Sequence, residues 1–329
     1  MFGDAYRKDM DAVVLDKGAK ESILRAVLEE KPGKRRVART ALLAAALCVA
    51  LGMTALAVSP GLREALAEAL GSFAPYSREV ENLSVVDQGI ELKVVSTLCD
   101  GNSAKVYLEL RDLEGDRLSA LTQCDLDIIP ADWHEEGDAL WGAVGGGGEL
   151  LRYDPDSKTI LATADLLGYG LPAEKLTLKL YMTEVQLEGA REDAPASSTI
   201  RGEWSLTVEA EMVERLSIDM RPSQTVIAGV TARTLHLSVL GATLESDANG
   251  TPNGLGYPLT VYLSDGRSLP PIKDPPTTCP NSFIHDTVSR WSFPEPVEPG
   301  EVVAIAIGQW YVPIEDGAAQ PGHWLAELS

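Results

Sequence analysis

The chain has 329 residues and carries 28 Lys plus Arg against 49 Asp plus Glu, a formal net charge of −21. An acidic balance of that size repels phosphate, so it argues against nucleic acid or an anionic lipid surface as partner of the acidic part. Of four cysteines, Cys48 lies in a long uncharged stretch, which leaves Cys99, Cys124 and Cys279, an odd number that excludes a full disulfide framework, while the length allows two modules of ordinary size.

The first 39 residues read as a cytoplasmic segment with one short amphipathic helix. In Lys20–Glu30, the side chains of Ile23, Leu24, Val27 and Leu28 recur at helical spacing on one stripe, with charges on the other face. Pro32-Gly33 ends the pattern. A helix of about eleven residues is marginal alone in water. The four apolar residues are therefore the candidate partner-binding set, and the competing reading is a leader that only delivers basic residues to a membrane.

Residues 40–58, TALLAAALCVALGMTALAV, contain no charged side chain. As a helix they cover roughly 28 Å, close to the ~30 Å hydrocarbon core of a bilayer. Five basic residues between Lys31 and Arg39 precede them. Lys and Arg flanking a span are retained on the inner side, so the expected topology is a single-pass transmembrane helix with the N-terminus cytoplasmic and the C-terminal part extracytoplasmic. Two alternatives stay open. Ala55-Leu56-Ala57 has the small-x-small form of a signal-peptide cleavage site, with cleavage after Ala57. A buried core helix is the other, although its basic N-terminal flank would oppose the helix dipole.

After the span, residues 59–75 read as an amphipathic stalk helix. Leu62, Ala65, Leu66, Ala69, Leu70 and Phe73 form its apolar face, read as packing on the outer part. From Leu83 the period changes to alternation. Ile90–Leu98 and Ala104–Arg111 flank Asp100-Gly101 and predict a hairpin. Cys124–Ile129, Thr159–Ala164, Leu176–Gln186 and Gly202–Met212 complete a first β module over residues 76–212. A second, over 213–329, is read from Leu216–Met220, Thr234–Leu244, Leu259–Leu263 and Val302–Trp310. The proline-rich stretch Leu269–Pro276 is expected to be extended and exposed. The expected fold class is therefore mainly β: one transmembrane helix followed by two extracytoplasmic β-sandwich-like, immunoglobulin-like modules with short flanking amphipathic helices.

Chemistry is hard to find in this pattern. His134, His236, His285 and His323 are not paired at metal-ligand spacing, and neither a GxSxG elbow nor an SxxK motif occurs. Asp125/Asp127 and Asp154/Asp156 lack the glycine and distal glutamate of a calcium loop and read as solvated turns. Gly145–Gly148 has no following Lys-Ser or Lys-Thr and reads as a flexible run, not a phosphate loop. Trp133, Trp141, Tyr153 and Tyr169 read as core aromatics. Cys48 lies within the span, and Cys99 and Cys124 lie on neighbouring strand candidates, either bridged or simply buried. No catalytic, cofactor or metal site is expected, and the protein is read as a non-enzyme.

The order of these elements resembles that of bacterial single-pass membrane proteins carrying domain of unknown function 4179. The resemblance rests on Lys20–Leu28, the apolar span, Val86-Asp87-Gln88-Gly89-Ile90-Glu91-Leu92, the Asp100-Gly101 turn and Gly202-Glu203-Trp204-Ser205-Leu206, and covers roughly residues 15–212. Some members are similar to anti-sigma factors. That resemblance implies a membrane-anchored extracytoplasmic sensor or regulator whose inner helix holds a cytoplasmic sigma factor or other regulator, with an outer ligand of unknown identity. The alternative is an extracytoplasmic binding or structural envelope protein whose inner segment serves only topology.

Overall fold

Alternating apolar and polar residues recur through most of the chain after Tyr76, and in the computed structural model the described residues form twenty short strands, preceded by one α-helix. The residues it describes are 60–101, 103–131, 146–167, 175–187, 198–227, 230–248, 257–269, 279–281 and 286–325. All of them belong to one compact unit, Leu51–Ser329. The inner segment with Ile23, Leu24, Val27 and Leu28, and the apolar stretch 40–58, lie outside the described residues. Among the described residues no helix is long and apolar enough to cross a membrane.

The helix, α1, is Pro60–Leu70. Proline is suited to the first helical position, where no N–H is required, and Gly71 at φ +50° ends the helix in a left-handed conformation. A 3-10 turn, Gly71–Tyr76, follows. Leu62, Ala65, Leu66 and Leu70 are buried, whereas Ala69 is exposed and Phe73 half-buried. The buried stripe is therefore narrower than the sequence reading, because the helix stops one turn before Phe73.

The strands are β1 (Arg78–Glu79), β2 (Ser84–Asp87), β3 (Ile90–Cys99), β4 (Ser103–Asp112), β5 (Gln123–Pro130), β6 (Gly146–Asp154), β7 (Thr159–Leu167), β8 (Lys175–Gln186) and β9 (Thr199–Glu211). There follow β10 (Arg215–Asp219), β11 (Val226–Ile227), β12 (Val230–Ser238), β13 (Gly241–Ala248), β14 (Leu259–Leu263), β15 (Cys279–Asn281) and β16 (Asp286–Ser292). The last four are β17 (Val302–Ile307), β18 (Trp310–Glu315), β19 (Ala318–Ala319) and β20 (His323–Trp324). Their ladders are antiparallel and form four sheets. One runs β1-β3-β4-β7-β6 with β2 also on β3, and a three-stranded sheet runs β5-β8-β9. Another runs β10-β12-β13-β16-β15 with β11 on β12, and the last runs β14-β17-β18-β19 with β20 on β18.

Each pair of sheets closes over one core. The first core takes Ile90, Leu92, Leu108, Ile160 and Ala162 from one sheet and Ile128, Leu178, Leu180, Trp204 and Val208 from the other. In the second, Leu235, Leu237, Leu244 and Trp291 meet Leu259, Val261, Ile305, Ile307 and Val312. Each fully buried Leu or Ile contributes roughly 1.5–3 kcal/mol over leaving it exposed. The chain is mainly β, with antiparallel sheets.

The β2–β3 turn and the start of the Trp204 segment meet beside the first core. Gln88 and Gly89 have φ of +49° and +74°, so the β2–β3 hairpin turns with both central residues left-handed, as its twist favours. The Asp87 carboxylate leaves that turn to accept the Glu203 N–H at 2.6 Å, while the Trp204 indole donates to the Ile90 carbonyl at 2.8 Å. Trp204 is buried, and its N–H needs such a partner.

Several expectations are corrected. Thr234–Leu244 is two strands: the chain turns at Val239-Leu240, where the Ser238 hydroxyl accepts the Leu240 and Gly241 N–H groups at 3.0 and 3.2 Å. Val302–Trp310 is also split, because Gly308 turns at φ +60° and donates to the Pro258 carbonyl at 2.9 Å. Gly146–Gly148 are not a flexible run but the start of β6. A Cβ on Gly148 would lie 2.5 Å from the Leu126 side chain of the facing sheet, so glycine is required by close packing. Leu269, placed by the sequence in an exposed stretch, is buried in the second core. The rest of that stretch lies outside the described residues.

Candidate functional site at the anchored helix and the core junction

The helix α1 begins two positions after Val58 in the sequence. Leu62, Leu66 and Leu70 are each at most 2 % exposed, and the helix packs on β6 and β7. These residues are not part of the first core, so they cover the sheet's other, outward face. The chain then re-enters as β1 at the far edge, beside β3. Residues 60–79 thus cross that face like a strap, over Tyr107 and Leu161, which point outward yet are 3 % and 1 % exposed.

Polar contacts fasten both ends of the strap. Arg152 of β6 reaches Glu68 at 3.3 Å. The Asp154 carboxylate stands against the first turn of α1, where a Cβ on Gly61 would lie 2.6 Å from its Oδ2. A carboxylate beside a helix N-terminus is favoured by the unsatisfied N–H groups and the dipole there. Asp154 also accepts the Ser157 hydroxyl at 2.6 Å and the Asp156 N–H at 3.1 Å. At the other end, Tyr76 donates its hydroxyl to Glu298 Oε1 at 2.5 Å, which ties the strap to the second set of sheets. Burial, the Glu298 hydrogen bond and its charge all raise the Tyr76 pKa.

The two cores are joined where β9 passes into β10. Val213 donates to the Cys99 carbonyl at 2.8 Å, and Cys99 and Met212 form an isolated bridge. Beside it lies Asp100, 2 % exposed. It accepts the Ser103 N–H at 2.8 Å and hydroxyl at 3.1 Å through Oδ1, and the Ser238 hydroxyl at 2.5 Å through Oδ2. Ser238 belongs to β12, so one buried carboxylate crosses from the first core's strands to the second's. Gly101 is needed here for space: a Cβ would meet Arg215 Nη1. A shallow recess at this junction is lined by Asp100, Ser103, Gly241, Arg290 and Trp291, among others. Buried hydrogen-bonded charges of this kind hold two bodies in one arrangement, because separating them leaves the carboxylate unpaired.

A further polar row was invisible to motif searching. His236, the strand histidine of the sequence reading, has Ser217 Oγ 2.8 Å from its Nδ1 and Glu245 Oε1 3.2 Å from its Nε2. The His236 contact lowers the Glu245 pKa, offset in part by burial. Nucleophile, base and carboxylate are thus in line across β10, β12 and β13. Register pairs Ser217 directly with His236 and places Glu245 one diagonal step away, so period-two alternation plus the pairing order would have found them. Acyl transfer also needs donors aimed at a developing oxyanion. The contacts of this row are those of a cross-strand hydrogen-bond ladder over three neighbouring strands.

The remaining candidates fall out as follows. Cys99 and Cys124 are free thiols, the first buried and the second half-buried, not a disulfide. Burial pushes the Cys99 thiol up to about 12 and Cys124 up to about 11, which keeps both protonated and unreactive. Asp125 accepts the Thr183 hydroxyl at 3.1 Å and Asp127 the Ile128 N–H at 3.0 Å. Among the described residues no three His, Cys, Asp or Glu side chains cluster as a metal site would require. Tyr153 packs on the first core. His134, His285, Trp133, Trp141, Tyr169, Gly145 and the inner stripe Ile23, Leu24, Val27 and Leu28 lie outside the described residues, so the structure neither assembles nor separates them.

No protein-family model matches the chain, and no curated protein matches it. A solved structure titled "The crystal structure of the conserved domain protein from Bacillus anthracis" is similar over 72 % of this chain and 77 % of that one, with 13 % identity and a TM-score of 0.43.

Proposed function

We propose that this chain is a membrane-anchored extracytoplasmic sensor or regulator. In that reading residues 40–58 are a single span, residues 1–39 lie in the cytoplasm and the β-sheets lie outside. The proposal includes the relation to proteins with domain of unknown function 4179 and, through it, an anti-sigma-like inner helix. The observation that carries it is the fastening of α1: apolar burial, Arg152, Asp154 and the Tyr76–Glu298 contact grip the segment that directly follows the stretch. A ligand or load that shifts the outer sheets then displaces residue 60 rather than an idle linker. Coupling of this kind requires a packed element between the two ends, since a flexible linker would absorb the motion.

Two measurements on the full chain test the reading. Protease added to intact cells should degrade the β-sheets and spare an epitope at the N-terminus; degradation of both, or protection of both, removes the topology. Crosslinking in cells should then capture a cytoplasmic regulator with the wild-type chain and lose it with Ile23→Asp, Leu24→Asp. Equal capture by the two would leave the inner stripe without a role.

A further inference from the structure

Among the described residues β10 is the end strand of its sheet, and it carries the first member of the Ser217–His236–Glu245 row. Within it Ile218 is buried whereas Ser217 and Asp219 are exposed, so the serine stands on the outward face, open to solvent. Register then decides which way its backbone points. Met220, one residue beyond the strand, donates to the Arg233 carbonyl at 2.8 Å. That hydrogen-bonded pairing recurs every second residue, at Ile218 with Leu235 and Leu216 with Leu237. Ser217 and His236 are therefore a non-hydrogen-bonded pair, the kind in which opposite Cα atoms come closest, and the closeness brings Oγ within 2.8 Å of Nδ1. In such a pair the Ser217 N–H points away from β12, toward the free edge of the sheet.

The proton positions follow from the carboxylate end. An ionised carboxylate only accepts hydrogen bonds, so with Glu245 Oε1 3.2 Å from Nε2 the neutral imidazole carries its proton there. The Nδ1 lone pair is left to Ser217. Thr234 gives Glu245 a further hydrogen bond and Arg233 adds positive charge, both of which favour the ionised carboxylate. The Ser217 hydroxyl then donates to Nδ1. Exposure divides the parts by role: the His236 side chain is 13 % exposed, while Ser217 is open. A shielded imidazole, oriented by a carboxylate and already accepting the proton of an exposed hydroxyl, has the arrangement of an activated nucleophile.

We propose that Ser217 is the nucleophile of an acyl-transfer site for small, uncharged carboxylic esters. Oγ attacks the ester carbonyl while its proton passes to His236 Nδ1. The oxyanion forms at the sheet edge, where the Ser217 N–H is the available donor. Collapse breaks the ester C–O bond, and the departing alkoxide takes the proton from Nδ1, leaving acyl-Ser217 and an alcohol. Water then gives a proton to Nδ1 and attacks the acyl carbon; Oγ leaves, recovers that proton and releases the carboxylic acid. Charge selects the substrate: Asp219 stands exposed two residues from Ser217 in a chain of net charge −21, which disfavours anionic esters. Geometry selects its size, because a serine on a sheet face offers one contact surface and suits small esters with good leaving groups. A single backbone donor also sets the rate, since each oxyanion donor is worth roughly 10²–10³-fold. Acylation is therefore selective but slow. The inference goes beyond the anchored-sensor reading and does not depend on which side of a membrane the N-terminus lies.

The test is reaction of the full chain in detergent micelles with p-nitrophenyl acetate and, separately, with a fluorophosphonate probe, each label being located by peptide mass spectrometry. Both labels are expected on Ser217, with a burst of about one nitrophenol per chain before slower turnover. Ser217→Ala, at an exposed position, should keep the fold and lose the burst. His236→Gln should slow the labelling of Ser217 by about 100-fold or more, as loss of a general base does, and Glu245→Gln by about tenfold or more. Labelling of the wild type should also slow from about pH 8 to about pH 5, because a protonated imidazole accepts no further proton, and His236→Gln should remove that dependence. No label on Ser217 overturns the proposal, as does labelling of other residues as fast as of Ser217. Equal rates in wild type and His236→Gln overturn it too and leave the row a structural ladder. If His236→Gln fails to fold by circular dichroism, Glu245→Gln decides, and an unchanged rate there has the same force.

Discussion

The outward faces of two sheets in this unit have opposite character. On β3-β4-β7-β6 the outward side chains include Glu91, Lys93, Lys105, Glu109, Arg111 and Asp165, and α1 packs on the β6 and β7 end of that sheet. On β14-β17-β18 they are tyrosine, alanine, threonine and proline, with His323 alongside. A sheet buried on one side has one apolar face by necessity, so only the second face is free to vary. The first sheet spends that freedom on covering helix and charge, and the second on exposed rings. The first face is covered by the helix packed on it, and the second leaves its rings partly exposed.

The largest test removes the cover from the first face. Leu66→Ala should lower the free energy of unfolding by about 2–5 kcal/mol, the usual cost of emptying a fully buried leucine site, read from urea unfolding of the full chain. Limited proteolysis should at the same time open residues 60–76. A loss below about 1 kcal/mol would mean that the helix rests on the sheet without being held by it.

Next in size is the charge at the end of that face. Asp112 closes the loop after β4: its buried carboxylate accepts the N–H groups of Glu114, Gly115 and Arg117 and the Arg117 guanidinium at 2.6 and 2.9 Å. The Arg117 hydrogen bond holds the Asp112 pKa well below the ordinary carboxylate value. A depressed folded-state pKa gives stability that is complete above the unfolded value of about 3.9 and lost as pH falls below it. Asp112→Asn should cost about 1.5–3 kcal/mol at pH 7, the worth of hydrogen bonds to a charged group, and the gap to wild type should narrow steadily in acid. A gap independent of pH would assign the loop to shape alone.

How much of this contrast is legible in sequence depends on distance along the chain. The helix face of Leu62, Leu66 and Leu70 is legible because its spacing is local. So is the β3–β4 hairpin, where alternation stops at Asp100 and resumes by Ala104. The turn at Val239-Leu240 is not, because Val239 is buried and apolar residues run through it, hiding the break, and at Gly308-Gln309 only two residues interrupt two apolar runs. Gly148 was misread because the neighbour that demands a glycine, Leu126, is set by sheet packing. Hardest of all is the uncharged face. VVAIAI reads as one apolar run, and only register shows that Ile305 and Ile307 point inward while Ala304 and Ala306 lie under Tyr262 and Tyr311, which are 49 residues apart. The Ser217–His236–Glu245 row was missed for the same reason.

A smaller effect has the opposite sign to the first two. Glu109 is 6 % exposed on the covered face, and its Oε2 has no hydrogen-bond partner. Burial raises its pKa; Lys93 and Arg111 offset part of that rise and Glu91 adds to it. A raised carboxylate pKa means that the ionised form destabilises the fold at neutral pH and that the cost is relieved as pH falls through the folded value. Glu109→Gln should therefore stabilise the chain by up to about 1 kcal/mol at pH 7. The gain should fade toward pH 4, where wild-type Glu109 is itself neutral. A loss of stability at pH 7 would show that the buried carboxylate is satisfied after all.

An effect of similar size belongs to the ring-covered face. There, rings pack on rings with no ionisable partner beyond His323, so substitution should act through contact alone. A double-mutant cycle of Tyr262→Ala and Tyr311→Ala isolates the edge-on pair from the area each ring covers. Its coupling energy should be about 0.5–1.5 kcal/mol, the range for aromatic pairs, and thermal unfolding at pH 5 and at pH 8 should return the same coupling. A coupling near zero would mean that the two rings lie over Ala304 and Ala306 independently, and the face would then be two separate aromatic spots.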